Sequence, residues 1–430
     1  MRVSTSHMQN TGVQNMTGQQ QGITDTQTQL ASGRKVLRPS DDPPRAARSL
    51  DLERAVQSVE RFNRNVDMAR TRLNLSEATM DQAGDQLQRI RELAVQAAND
   101  SQDRRTRSYI ASEVRERYQQ LVQLANSQDG NGEYLFAGAK TRTRPFSLGP
   151  DEKVTYLGDQ NQRQVRIGPG RQIAVDNSGF DAFMKVYHGN AQYDAREHPD
   201  NTGTGVATVV DRGVQRFDPH IDEYRVRFAE DDQGSLRYAV ERSHDITDPA
   251  AWEWVVPAEG GNGQPPAIED APIYEQGATI ELDEGIRIVL DGEPDPAADF
   301  AAADPGDTFH VRGSRPQSIF DTVKQFIDAL EEDGEGPGFR NAVNRAIGDI
   351  DLGLENTFRV RAELGARQST LDTEEAGNRA ALVDLQEALS REQDLDYAEA
   401  TGRFNQELTG LQAAQMSFSR IQDLSLFNYI

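Results

Sequence analysis

At 430 residues the chain is long enough for two or three domains, but only 36% of it is hydrophobic and its mean hydropathy is −0.71, which suits an elongated protein with a narrow core better than a compact enzyme. With 46 Lys and Arg against 70 Asp and Glu it carries a formal net charge of −24, which sets nucleic acid and anionic membrane aside as partners. Cysteine is absent, which excludes a disulfide scaffold, a thiolate zinc site and a cysteine nucleophile.

The first thirty residues are rich in Gln and Thr and contain no apolar run of the signal-peptide kind, so a cleaved signal is not expected. Met16, Ile23 and Leu30 recur every seven residues there, a sparse amphipathic stripe. No stretch approaches the apolar length of a transmembrane helix.

Asp42 precedes Pro43 and Pro44, a helix start with Asp42 as N-cap. From there a heptad runs through Leu52, Val59, Val66, Leu73, Met80, Leu87 and Ala94. Its companions are Ala55, Phe62, Ala69, Ser76, Ala83, Ile90 and Ala97, with Ser76 the one polar member. A hydrophobic period sustained this long predicts a coiled-coil helix from Pro43 to about Asn99. A second helix, from about Arg104 to Ser127, follows a short polar break and should pack antiparallel to the first.

From Asp129 to about Arg315 the pattern changes to Gly, Pro and Asp with short β-branched runs. Candidate strands are Val154–Leu157, Gln164–Ile167, Tyr224–Phe228, Leu236–Val240, Trp252–Val256, Thr279–Leu282 and Ile286–Leu290. After Pro316, Ile319, Val323, Phe326, Ile327 and Leu330 fit a short helix, ended at Gly334-Glu335-Gly336-Pro337-Gly338. A heptad then continues from Val343 to Leu389, interrupted by Thr357, Arg361, Gln368, Glu375 and Asn378. Those polar positions predict a weaker seam, partly exposed or paired with another chain. Phe404, Leu408, Leu411, Phe418 and Ile421 line one face of the last segment. Neither terminal stripe is wide enough to offset alone the entropy of ordering its helix, so each needs the other and neighbouring subunits.

Catalytic chemistry finds no support. The six histidines, His7, His188, His198, His220, His244 and His310, match no metal motif, and a His188–His198 site is weak beside the reading as surface loops. The acidic groups Asp231-Asp232 and Asp291, Glu293, Asp295 and Asp299 sit among Gly, Pro and Ala, which marks solvated loops. Gly168-Pro169-Gly170 and Gly203-Thr204-Gly205 read as turns rather than phosphate loops. Trp252 and Trp254 alternate on a candidate strand, where packing outweighs carbohydrate stacking. No catalytic residue, metal or cofactor is expected.

The segment Leu30-Ala31-Ser32-Gly33-Arg34-Lys35-Val36, followed by Pro39-Ser40-Asp41-Asp42-Pro43, resembles the start of flagellin-like proteins. Tyr134-Leu135-Phe136-Ala137-Gly138, Ser318-Ile319-Phe320-Asp321-Thr322, Tyr397-Ala398-Glu399-Ala400 and the ending Leu424-Ser425-Leu426-Phe427-Asn428-Tyr429-Ile430 are similar to hook-associated protein 3, the hook–filament junction group of that family. Gly277-Ala278-Thr279-Ile280 and Gly306-Asp307-Thr308-Phe309 resemble a β-rich module of junction proteins, with Asp295–Asp304 as an insertion.

The resemblance implies a mainly α fold with a β-rich insert: long antiparallel coiled-coil helices from both termini and central β-rich outer domains. Residues 1–42 would form an inner-tube helix and connector pairing with 397–430. Residues 43–145 would form a helical rod pairing with 316–396, and 146–315 would face outward. The assembly interface would comprise Met16, Ile23, Leu30, Phe404, Leu408, Leu411, Phe418, Ile421, Leu424, Leu426 and Phe427. Implied partners are copies of the chain in a ring, the other junction protein, flagellin, and a cytoplasmic export chaperone on the C-terminal helices. The implied location is extracellular, on a flagellum, after type III export. The alternatives are a flagellin-type filament subunit, which the non-basic ending argues against, and an enzyme or glycan-binding module carried in the β-rich middle.

Overall fold

The computed structural model describes residues 5–99, 103–187, 193–198, 200–210, 223–245, 251–256, 265–282, 286–302, 304–332 and 337–426. Among the described residues six helices carry the two ends: α1 (Thr5–Ser32), α2 (Pro43–Ala97), α3 (Arg104–Ala125), α4 (Ile319–Glu331), α5 (Pro337–Gln393) and α6 (Tyr397–Leu426). Among the described residues between α3 and α4 lie fourteen strands: β1 (Phe146–Leu148), β2 (Val154–Tyr156), β3 (Gln164–Gly168), β4 (Arg171–Ala174), β5 (Val186–Tyr187), β6 (Tyr193–Glu197), β7 (Val206–Val209), β8 (Glu223–Glu230), β9 (Leu236–Ser243), β10 (Trp252–Val256), β11 (Thr279–Glu281), β12 (Arg287–Asp291), β13 (Thr308–Gly313) and β14 (Pro316–Gln317). The expected class, helical at both ends and β-rich between, is the observed one.

The chain divides into two compact units. The first comprises Met1–Asp67, Arg166–Gln172 and Leu371–Ile430; the second comprises Met68–Val165 and Ile173–Thr370.

In the second unit the heptad seam of α2 is a true core. Ala69, Leu73, Ser76, Met80, Ala83, Leu87, Ile90, Ala94 and Ala97 are all buried, and Ser76 Oγ donates to Arg72 O at 3.0 Å, so the one polar seam residue needs no outside partner. Part of α5 runs antiparallel to this stretch. Arg91 Nη2 donates to Asp351 Oδ2 at 3.2 Å, Arg361 pairs with Asp81 at 2.7 Å, and Gln368 Nε2 donates to Asn74 and Glu77, each at 3.0 Å. The polar interruptions Arg361 and Gln368 are therefore engaged within the chain, and Thr357 is buried with its hydroxyl on Gly353 O. Helix α3 returns along α2 as the short break requires, with Arg89 Nε on Glu113 at 2.9 Å. Its N-cap is Asp103, whose side chain accepts from Thr106 N. An aromatic cluster of Tyr118, Phe136, Phe146, Phe183 and Phe320, with ring centroids 5.2–6.3 Å apart, ties α3 and α4 to the β1–β2 region.

The β-rich part of this unit is built on a five-stranded antiparallel sheet in the order β10-β9-β8-β13-β6 and a three-stranded sheet in the order β11-β12-β7. One apolar cluster joins them, including Tyr224, Val226, Phe228, Ile280, Ile288, Leu290, Phe309 and Val311. Strand β8 shows why: Tyr224, Val226 and Phe228 are buried, while Arg225 and Arg227 point to the other face. All seven strands expected from the sequence are present, with ends shifted by a few residues.

In the first unit α2 starts where Asp42 Oδ1 accepts from Arg45 N at 3.1 Å, the expected cap. Val59, Val66, Ile167 and Leu371 are buried, but Leu52, Ala55, Phe62, Leu382, Leu385 and Leu389 are only half-buried. The turn between β3 and β4, with Gly170 at φ 79°, is pinned to both long helices. Asn65 Nδ2 donates to Arg166 O at 2.7 Å, and buried Asn378 donates to Ile167 O at 2.8 Å.

Candidate functional site

The terminal pair α1–α6 belongs to the first unit. Helix α1 ends at Gly33, which takes φ 69°, donates to Gln29 O at 2.8 Å and lies against the Tyr397 hydroxyl. The return chain is held at the same level, where Leu395 N donates to Gly33 O at 2.9 Å and Lys35 N to Gln393 O at 2.8 Å. From there the helices run antiparallel. Thr26 Oγ1 donates to Glu407 Oε2 at 2.9 Å, Gly22 faces Glu407, and a Cβ on Gly12 would lie 2.9 Å from the Phe418 ring.

The pair makes almost no core of its own. Among the described side chains of α1 only Thr26 is buried, and on α6 only Ala400. The expected stripe residues Met16, Ile23, Leu30, Phe404, Leu411 and Phe418 are half-buried, and Leu408 is exposed at 40%. Ile421, Leu424 and Leu426 lie within α6 but their side chains fall outside the described residues, as does Phe427 altogether. Val13 and Met416 are 49% and 61% exposed, so apolar surface also faces away from the pair. Sequence reading missed Thr26, Glu407 and the contact glycines Gly12 and Gly22. The glycines carried a usable signal, since small residues inside a helix permit close approach of a bulky neighbour. Charge is almost absent from α1, where Asp25 is the one acidic residue between Thr5 and Ser32.

The other chemical candidates resolve into structural roles. Asp231 accepts from Gln233 N, Ser235 N and Arg237 Nε, which shapes the β8–β9 turn. Trp252 has the Arg225 guanidinium 3.5 Å over its ring, and Trp254 packs 6.1 Å from Phe300. His310 pairs with Glu223, and His198 lies 3.6 Å from Asp200; His188 and His220 fall outside the described residues. Among the described residues no group of three metal-ligating side chains converges, and no helix is long and apolar enough to cross a membrane.

Residues 3–141 match the bacterial flagellin N-terminal helical region, and residues 347–430 match the bacterial flagellin C-terminal helical region. The chain belongs to the flagellin-like family. Within that family its likeness is to hook-associated protein 3. It is 30% identical to flagellar hook-associated protein 3 of Escherichia coli over 186 residues, 43% of this chain and 58% of that one. The chain thus spans little more than half the length of that curated relative. The fold is similar to the crystal structure of hook-associated protein 3 from Legionella pneumophila, with 29% identity, a TM-score of 0.67, and 79% and 97% of the two chains covered. For FlgL of Xanthomonas campestris the identity is 29% and the TM-score 0.63, with 79% and 99% covered. These flagellin-like relatives are structural proteins of the flagellum, not enzymes.

Proposed function

We propose that the chain is a structural subunit of the bacterial flagellum that forms the junction between hook and filament and templates filament assembly. One observation carries this reading: among its described side chains the α1–α6 pair buries only Thr26 and Ala400, so its apolar stripe is left to be completed by other copies. Ordering of such helices couples to assembly, which keeps free subunits from associating before export.

In this reading residues 1–42 and 397–430 form the inner tube, 43–145 and 316–396 the rod, and 146–315 the outer domains. Met16, Ile23, Leu30, Phe404, Leu408, Leu411, Phe418, Ile421, Leu424, Leu426 and Phe427 make the contacts between copies in a ring. The ring meets the other junction protein on one side and flagellin on the other. A cytoplasmic chaperone holds the C-terminal helices before type III export to the cell exterior. Immunogold labelling of intact cells tests the reading: label confined to a narrow band where the filament begins is expected, and label along the filament would refute it.

A filament-subunit reading has one observation in its favour, the match of both ends to flagellin helical regions. Seeded polymerisation separates the two. A filament subunit elongates seeds, whereas a junction subunit does not.

A further inference from the structure

A cleft of about 660 Å³ in the second unit lies between β6, β13 and α4. Its lining is basic in a strongly acidic chain, with Lys153, Arg196, Arg312, Arg315 and Lys324 against Asp194, Asp321 and Asp328. Two of the carboxylates are already engaged: Asp194 pairs with Arg196 at 2.5 Å, and Asp328 pairs with Lys324. Asp321 is half-buried, and burial raises its carboxyl above the usual range, although Lys153 opposes this. That leaves Lys153, Arg312 and Arg315 exposed and in no ion pair among the described residues, although the charge of Arg312 also acts on Glu223, its register partner on β8.

The same unit carries the complementary set. Residues 291–302 contain Asp291, Glu293, Asp295 and Asp299 and no Lys or Arg. All four carboxylates are exposed, and none joins an ion pair among the described residues. Among the described residues their donors are neutral, such as Thr202 Oγ1 on Asp295 at 2.8 Å and Gln276 Nε2 on Asp291 at 3.1 Å. One chain thus holds an open basic cleft and an open acidic loop that do not satisfy each other internally.

We infer that the acidic loop 291–302 of one copy docks in the basic cleft formed by Lys153, Arg312 and Arg315 of the next. The contact is head-to-tail, with different patches on its two sides, as a ring requires. It rests on the proposed side-by-side assembly and adds to it a charged contact in the outer domains, separate from the terminal helices. Partly exposed charge pairs are individually weak and set orientation and partner choice more than affinity.

The test is self-association of the full chain, read by sedimentation velocity over a concentration series in about 50 mM salt, where exposed charges are weakly screened. Concentration-dependent association is expected. It should weaken at least tenfold in K153E/R312E/R315E and measurably in R312Q/R315Q, with thermal melts confirming that both are folded. R54E/R379E/R391E changes net charge equally within the first unit, at residues 68–72% exposed, and should associate as the parent does. Absence of concentration-dependent association, or equal weakening in both charge-reversed chains, would overturn the contact. Neither outcome touches the junction reading, which the immunogold label decides separately.

Discussion

Thr26 Oγ1 and Glu407 Oε2 meet at 2.9 Å across the α1–α6 pair, and Thr26 is the one buried residue among the described side chains of α1. A helix pair closed by a hydroxyl on a carboxylate gains only about 1 kcal/mol from that bond. Removing residues 405–430, and Glu407 with them, should therefore leave the main thermal transition of the chain within about 2–4 °C, a shift typical of roughly 1 kcal/mol in a domain of this size. The same deletion should abolish incorporation at the junction. Calorimetry and labelling of a complemented strain check the two halves, and a deleted chain that still assembles would contradict the assignment.

Arg72 is a different kind of contact. It is 5% exposed, donates to Asp129 Oδ2 and to Tyr134 O, each at 2.8 Å, and lies 3.8 Å from the buried carboxylate of Asp176. Asp176 also accepts from Arg163 N and lies 3.9 Å from Arg163 Nε; burial holds its carboxyl above the usual range, against the charges of Arg72, Arg163 and Arg367. Arg72→Ala should cost about 3–5 kcal/mol, because it breaks a buried charge network and leaves Asp176 with Arg163 alone at ion-pair distance. Arg72→Met with Asp176→Asn should cost less than the single change. Urea unfolding of the three chains measures both, and a double variant no better than the single would refute the coupling.

Glu223 supplies a pH dependence. Burial alone would raise its carboxyl, but the His310 hydrogen bond and the charges of His310, Arg225 and Arg312 hold it below the usual range. A carboxyl lowered on folding contributes stability above its unfolded pKa and loses it as pH falls through the folded value. Glu223→Gln should thus be less stable than the parent near pH 6, and the gap should narrow as pH falls below the ordinary glutamate range. Melting temperatures across that window test this, and a gap independent of pH would count against the pair.

Gly138 takes φ 64°, and a Cβ there would sit 2.2 Å from Asp159 O. The backbone around it cannot yield cheaply, since Asp159 N donates to Ala137 O and Asp159 Oδ1 accepts from Ala139 N. Gly138→Ala should destabilise the second unit by roughly 1–3 kcal/mol or more. A variant melting with the parent would show that the turn tolerates a side chain.

The long helices were readable because their seams repeat without ambiguity from Val59 to Ala97, and Asp42 before Pro43 marks a start that the Arg45 amide confirms. Strand β8 was readable because Arg225 and Arg227 alternate with buried Tyr224, Val226 and Phe228. Strand β13 was not, although Phe309 and Val311 alternate too. It sits between β8 and β6, pairing Phe309 with Val226 and with Glu197, partners about eighty to a hundred and ten residues away. Such non-local register leaves no short-range pattern. Strand β6, with the charged run Asp194 to Glu197, looks like a loop until its neighbours are known. At the termini the stripe of Met16, Ile23 and Leu30 was legible, but the buried member among the described side chains of α1 is Thr26, whose place depends on Glu407 of a helix at the far end of the sequence. The polar seam positions Thr357 and Asn378 looked like gaps for another chain, yet Gly353 O and Ile167 O close them within this one.

Hydrogen exchange of the free chain in dilute solution addresses the dependence of the terminal helices on neighbours directly. Amides from His7 to Leu30 and from Phe404 to Arg420 should exchange within about tenfold of an unstructured peptide, while those from Ala69 to Ala97 of α2 stay protected by several orders of magnitude. Protection at both ends equal to that of α2, in a chain shown to be monomeric, would contradict the claim that assembly supplies the missing apolar surface.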